Sequence, residues 1–384
     1  MMQPFDFQPR TRIVFGPGKV ETLGELASEM GARRALVVSD PGVVAAGHTA
    51  KGMAALARAG IGAHLFEEVH ENPTTEDVAA GVKVARRYDP EVLVAIGGGS
   101  SMDCCKGINF VFTNGGEVKD YWGVGKALKA MLPMIAVPTT AGTGSETQSF
   151  ALISDAKTHA KMACGDKKAS CRVAVLDPEL TVSQPLRVTA LTGIDAVSHA
   201  LETFVTSRRN PVSLAFSREA WRLLAGNFSR VLDDPTDLSA RGSMLLGASF
   251  AGLAIENSML GAAHALANPL TTHFDVPHGQ AVGVMLPHVI RFNAAEVEHQ
   301  YHDLLHESQN GSPLPKAAGG VEGLSDFVLR LLTKAGLATT LRGLSVDPLK
   351  LPHLASQAAK QWTAGFNPRT VGEEELLGLY QKAY

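Results

Sequence analysis

Cysteine, aromatic side chains and charge of one sign are all scarce in this chain of 384 residues, and each scarcity removes a class of function. The four cysteines, Cys104, Cys105, Cys164 and Cys171, all fall in the first half. The adjacent pair is too constrained for an ordinary bridge, and the Cys164 to Cys171 spacing has no CxxC partner, so neither a disulfide framework nor a zinc ribbon is expected. Reduced structural thiols in a cytoplasmic protein fit this usage. Lys and Arg number 35 against 38 Asp and Glu, a net charge of −3 with the signs intermixed. No basic block is present to neutralise a run of phosphates, so nucleic acid is not an expected partner. The segment Met1 to Arg10 has no apolar core of the signal-peptide kind. The longest nearly uncharged stretch, Gly242 to Ala267, is interrupted by Glu256, Asn257 and His264, which predicts buried helices and no membrane span.

What is present is a globular, enzyme-like composition, 45% hydrophobic and 19% charged, long enough for two domains. Up to about residue 185, short apolar runs alternate with amphipathic stretches, the pattern of βα units on a parallel sheet. Ala35 to Asp40, Val92 to Ile96 and Met134 to Val137 read as strands. Each ends in turn chemistry: Asp40-Pro41-Gly42, Gly97-Gly98-Gly99-Ser100, and Pro138-Thr139-Thr140-Ala141-Gly142-Thr143-Gly144. Ligands of open α/β sheets gather at the carboxyl ends of strands, so these three loops should face one crevice. The glycine run opens a predicted helix, Met102 to Phe110, whose backbone N–H groups could approach a pyrophosphate, although G-x-G-x-x-G is not matched. Asp40 could hydrogen-bond a ribose and repel a 2′-phosphate; it reads equally well as a turn residue. Together the three loops favour a dinucleotide, NAD over NADP.

Beyond Asp177-Pro178-Glu179-Leu180 the pattern turns helical: Val188 to Ser207, Pro211 to Asn227, Leu238 to Glu256, Gly261 to Ala267, and further helices to the end, with breaks at Asn310-Gly311-Ser312-Pro313 and Asn367-Pro368-Arg369. We therefore expect an α/β nucleotide-binding domain over 1–185 and an all-helical domain over 186–384. Within the latter, Asp195 and His199 are four residues apart and share one helical face. His264 and His278 lie in segments almost free of other charge, with His273 between them. One carboxylate and imidazoles suit Fe(II) or Zn(II) better than Mg or Ca. Any one of these residues alone reads as a solvated pair or a core histidine with a satisfied hydrogen bond.

The glycine run with Asp103 and Lys106, the Pro138 to Glu146 loop, Asp177-Pro178-Glu179-Leu180, Thr192-Gly193-Ile194-Asp195-Ala196 with His199 and Glu202, His264, and Pro277-His278-Gly279 together resemble the iron-containing (group III) alcohol dehydrogenases, in order and over nearly the whole chain. That resemblance implies a metal- and NAD(H)-dependent alcohol dehydrogenase or aldehyde reductase of the dehydroquinate synthase-like architecture, with the active site in a cleft between an α/β domain and a helical one. It implies Asp195, His199, His264 and His278 as metal ligands, leaving His273 a bystander. Asp40 would contact the adenosine ribose, and Asn72, Gly98, Gly99, Ser100, Asp103, Thr139, Thr140, Thr143 and Lys161 would line the NAD site. A small alcohol or aldehyde as substrate and a homodimer or larger assembly are further implications. The chain departs from the family at Ser101, where proline is usual, and at Asn268, where many members carry a second histidine. Ile255, in place of an aromatic, with Phe150 and Trp362, points to an altered substrate pocket. Two other readings remain open: a related dehydroquinate synthase-like lyase, whose phosphate-bearing substrate calls for basic residues not found around these motifs, and an NAD-binding assembly protein without turnover.

Overall fold

The structure, a computed structural model, describes residues 4–158, 160–309 and 319–384. The expected break at Asn310-Gly311-Ser312-Pro313 lies outside them. The chain divides into two compact units: one gathers Gln8–Thr140 and Gly144–Gln184, the other Ala141–Thr143 and Pro185–Tyr384 together with the described residues before Gln8.

Among its described residues the first unit carries nine strands: β1 (Arg12–Phe15), β2 (Arg34–Val38), β3 (Gly62–Phe66), β4 (Val92–Gly97), β5 (Gly123–Val124), β6 (Met134–Pro138), β7 (Phe150–Ser154), β8 (Lys161–Gly165) and β9 (Val173–Leu176). Its helices are α1 (Leu23–Glu29), α2 (Pro41–Ala45), α3 (His48–Arg58), α4 (Thr75–Tyr88) and α5 (Gly99–Asn114). Six strands pair in parallel in the order β1-β9-β6-β4-β2-β3, and β5-β8-β7 form a small second sheet. The three sequence-predicted strands, β2, β4 and β6, lie inside the six-stranded sheet. They read as unbroken apolar runs because both faces are covered: Val37, Val94, Ile96 and Val137 enter one core, Leu36, Val38, Leu93 and Met134 the other. Sequence reading missed β1 and β3, edge strands that stay partly exposed and so lack such a run, and also the interior β9, a wholly buried run of only four residues, and the three strands of the small sheet.

The chain leaves β2 for β3 on one side and β4 for β6 on the other, so the order reverses between β2 and β4. That reversal is where open α/β sheets form a crevice.

The second unit is helical among its described residues: α6 (Leu186–Val205), α7 (Pro211–Asp233), α8 (Leu238–Glu256), α9 (Ala262–Phe274), α10 (His278–Gln309, kinked at Val297), α11 (Gly320–Lys334), α12 (Leu351–Ala358) and α13 (Glu373–Ala383). The segment expected to end at Ala267 runs on through Pro269 to Phe274. By length and composition α8 could cross a membrane, but 67% of its apolar window is buried within the protein, where it packs on α6 and α7. Almost all of α6 from Gly193 to Val205 is buried, with α7, α8 and α10 around it. Two glycines permit that closeness. A Cβ on Gly193 would stand 2.3 Å from the Phe228 ring, and one on Gly279 would stand 2.0 Å from the Leu191 carbonyl oxygen.

Candidate metal centre

Asp195 and His199 stand one turn apart on the buried face of α6, His264 is the third residue of α9, and His278 is the first of α10. The helices bring all four to one place. Asp195 Oδ1 lies 3.5 Å from His199 Nε2, 3.5 Å from His264 Nε2 and 3.8 Å from His278 Nε2. These separations are long for hydrogen bonds. They match a different requirement: four ligands each ~2.1 Å from a tetrahedral cation stand about 3.4 Å from one another. Asp195 Oδ1 and His264 Nε2 are buried without a hydrogen-bond partner, a costly state that a cation between them relieves. Asp195, His199 and His264 are deeply buried, while the His278 side chain remains 30% exposed and forms the open side of the group.

The electrostatics point the same way. Burial pushes the Asp195 carboxyl up, but the three imidazoles outweigh it and hold the group well below the usual carboxylate range. Burial depresses the His199 imidazole, which stays below its ordinary value despite Asp195. His264 is also pushed down by burial, yet the Glu202 and Asp195 carboxylates raise it to about 9. Two buried carboxylates thus draw positive charge to this spot. His273 is no part of the group; its ring meets His353 edge-on.

The residues expected to bind the dinucleotide lie mostly in the α/β unit. Asp40, Gly97 to Ser101 and Thr140 converge at the carboxyl ends of β2, β4 and β6, as the three-loop reading required. A Cβ on Gly97 would meet Ser101 Oγ and Asp40 Oδ2, and one on Gly98 would meet Thr140. Gly98 is the N-cap of α5, Gly99 and Ser100 open its first turn, and Thr139 is buried beside them. Asp40 is more than a turn residue: its Oδ1 accepts from Val43 N–H as the cap of α2, and its Oδ2 accepts from the Ser101 hydroxyl. Ser101 sits inside the first turn of α5, not in the preceding loop, a position that proline also tolerates. Asn72 adopts a left-handed conformation, φ 53°, just before the capping box of Thr74 and Asp77. Lys161 is exposed at the start of β8. Thr143 belongs to the helical unit, with Ala141 and Gly142.

Asp103 is committed to protein partners, accepting from Ser145 Oγ at 2.6 Å and Leu152 N–H at 3.1 Å. Beside it is Lys106, fully buried, a role no sequence pattern signalled. Its ammonium donates to Ser145 O, Ser145 Oγ and Phe150 O, which uses all three of its protons.

The residues expected to shape a substrate pocket lie on four elements. Phe150 is half-buried at the start of β7, its ring over Gly165 of β8. Ile255 is buried near the end of α8. Asn268 on α9 donates to Gln361 at 3.0 Å, and the adjoining Trp362 is 46% exposed, edge-on to Phe366.

Comparison with known proteins identifies the family. Residues 9–178 match the family model for iron-containing alcohol dehydrogenase, and residues 189–384 match the C-terminal model of the Fe-containing alcohol dehydrogenase family. The chain is 34% identical to the 1,3-propanediol dehydrogenase of Klebsiella pneumoniae over 99% of both chains. A crystal structure of a 1,3-propanediol oxidoreductase superposes with a TM-score of 0.94 at 32% identity, covering 100% of each chain. Sulfoacetaldehyde reductase from Bifidobacterium kashiwanohense, solved in complex with NAD+, gives a TM-score of 0.89 at 27% identity over 99% of each. The buried carboxylate with its three imidazoles therefore lies in a chain that belongs to the iron-containing alcohol dehydrogenase family.

Proposed function

We propose that this protein interconverts a small primary alcohol and its aldehyde, using NAD(H) and a divalent metal, Fe(II) in preference to Zn(II). The observation that carries the proposal is the convergence of three imidazole nitrogens on Asp195 Oδ1 at 3.5–3.8 Å. Asp195, His199, His264 and His278 would hold the ion, which supplies Lewis acidity toward a carbonyl or hydroxyl oxygen, while the nicotinamide supplies hydride chemistry. An additional position for substrate oxygen is easier to open at Fe(II) than at a closed tetrahedral zinc, hence the preference for iron.

The chain's own residues set the conditions for that chemistry. Burial of Asp195, His199 and His264 excludes water from one side, so charge differences act across a low dielectric. The partial exposure of His278 leaves an approach for a small molecule. Asn268 is an amide held by Gln361 and neither gains nor loses a proton near neutral pH, so the proton that accompanies hydride transfer is carried elsewhere. At the other unit, Gly98, Gly99, Ser100, Thr139 and Thr140 would receive the dinucleotide, with Asp40 selecting the unphosphorylated ribose of NAD. The small substrates in the names of the relatives, propanediol and sulfoacetaldehyde, support a substrate of a few carbons.

The test is NADH oxidation by anaerobically purified protein, stripped of metal and reloaded with Fe(II) or Zn(II), against short aldehydes from acetaldehyde to lactaldehyde. Turnover that returns only with metal is expected. Full turnover by the stripped protein would remove the Lewis-acid role, and none with either metal in protein that binds NAD would remove the dehydrogenase reading.

A further inference from the structure

Glu202 sits seven residues after Asp195 on α6, two turns along the same face as His199, and its side chain is 4% exposed. A carboxylate so deeply buried needs specific donors. Glu202 finds two, both at the start of α9: its Oε1 accepts from Ala263 N–H at 2.8 Å, and its Oε2 is hydrogen-bonded to His264 Nδ1. The N-cap of α9 is Gly261, which has no side chain to cap the helix. The missing cap comes from other elements. Asn367 Oδ1 accepts from Ala262 N–H at 3.2 Å, and Glu202 accepts from the next one. Asn367 is itself held by a reciprocal amide pair with Asn293. A Cβ on Gly261 would stand 2.9 Å from Asn367 Oδ1 and 3.2 Å from Glu202 Oε1, so the glycine is what allows both oxygens to reach the helix end.

Resting on the four-ligand reading above, we infer that Glu202 is a positioning residue for the metal centre, which caps α9 and fixes the proton of His264 on Nδ1, so that the Nε2 lone pair faces Asp195. The Ala263 N–H donates to one oxygen of Glu202, which leaves the other to accept from the imidazole. His264 then has one nitrogen donating and the other free to ligate, the arrangement a ligating histidine requires. The same carboxylate places negative charge at the positive end of α9, so the cap and the tautomer reinforce one another.

The discriminating change is Glu202→Gln, nearly equal in shape. To keep accepting from Ala263 N–H, the glutamine must turn its NH2 toward His264 Nδ1, which then accepts and moves the ring proton to Nε2. The readout is Zn2+ affinity of metal-free protein by chelator competition, together with the ligand-field spectrum of the Co2+ form and the melting temperature without metal. Glu202→Gln should weaken Zn2+ binding on the order of 10–100-fold and alter the Co2+ spectrum, with little change in metal-free melting. Asn367→Ala, which removes the neighbouring cap and leaves His264's partner in place, should lower metal-free melting and keep Zn2+ affinity within about twofold of wild type. Unchanged affinity in Glu202→Gln, or a loss matched by an equal fall in metal-free melting, would overturn the positioning role. Wild-type protein that binds no Zn2+, behaving like Asp195→Ala, would instead overturn the four-ligand reading and the inference with it. Nitrogen-15 spectra of metal-free wild type at alkaline pH add a check that needs no variant: Nδ1–H on His264 supports the role of Glu202, and Nε2–H contradicts it.

Discussion

At the scale of single residues, Asp40 combines two duties that a substitution can separate. Its carboxylate caps α2 and accepts from Ser101, and on the proposed reading the same negative charge at the β2 end would oppose a 2′-phosphate. Glycine is a tolerated N-cap, a few tenths of a kcal/mol worse than aspartate, so Asp40→Gly removes charge at small structural cost. We expect the NADP-to-NAD ratio of kcat/KM to rise roughly tenfold or more, since a like-charge clash costs on the order of 1 kcal/mol or above. An unchanged ratio would remove Asp40 from coenzyme selection. A second residue, His288 on α10, should contribute to acid sensitivity. Burial, with Arg291 and Lys382 nearby, lowers its imidazole from the ordinary 6.5 to about 4. Between those values the unfolded chain takes up a proton that the folded chain refuses, so the stability present above pH 6.5 is lost as pH falls toward 4. His288→Gln should flatten that decline by on the order of 1–3 kcal/mol between pH 7 and pH 4 in denaturant titrations. Parallel stability curves for variant and wild type would show that the ring contributes nothing to it.

At the scale of elements, close approach of helices holds the ligands in place. Gly279 follows His278 and lies against the Leu191 carbonyl of α6, a backbone atom that cannot rotate aside. Gly279→Ala forces the first turn of α10 away from α6 and carries His278 with it. The expected result is a loss of about 1–3 kcal/mol, near 2–4 °C of melting temperature for each, with Zn2+ affinity at least ~10-fold weaker. Wild-type values in both measurements would show that the helices separate at no cost to the site. The same scale explains what was legible in the sequence. The central strands β2, β4 and β6 and the helices α6 and α8 announced themselves, because burial on all sides leaves long apolar runs. The edge strands β1 and β3 did not, being half-solvated, nor did the buried β9, whose four residues make too short a run to stand out, and Pro269 reads as a stop although α9 passes through it. Asp195 and His199 carry the helical spacing of a paired site, whereas His264 and His278 come together only through the packing of α9 and α10 on α6. The duties of Glu202 and Lys106 depend on partners 61 and 39 residues away, which no local pattern encodes.

At the scale of the molecule, the two units would hold different ligands on the proposed reading and should answer to them separately. A metal bound only by the folded helical unit stabilises it by about 2.7 kcal/mol at a hundredfold excess over Kd. Chelation should therefore speed amide exchange in α6, α9 and the first turn of α10, while β2, β4 and β6 keep their protection. Uniform loss of protection in both units would show a single cooperative block. The division also has a topological side. The helical unit includes the tripeptide Ala141–Thr143, a piece of the segment between β6 and β7 that precedes its helices in sequence. Gly142 fits so tightly on Thr192 that a Cβ would stand 2.6 Å from that side chain, and its backbone favours the charged form of His199. A gene cut at residue 185 would thus separate Gly142 from Thr192 and His199, its neighbours within one unit. The helical unit is therefore not one contiguous stretch of sequence, and its boundary includes three residues from the loop after β6.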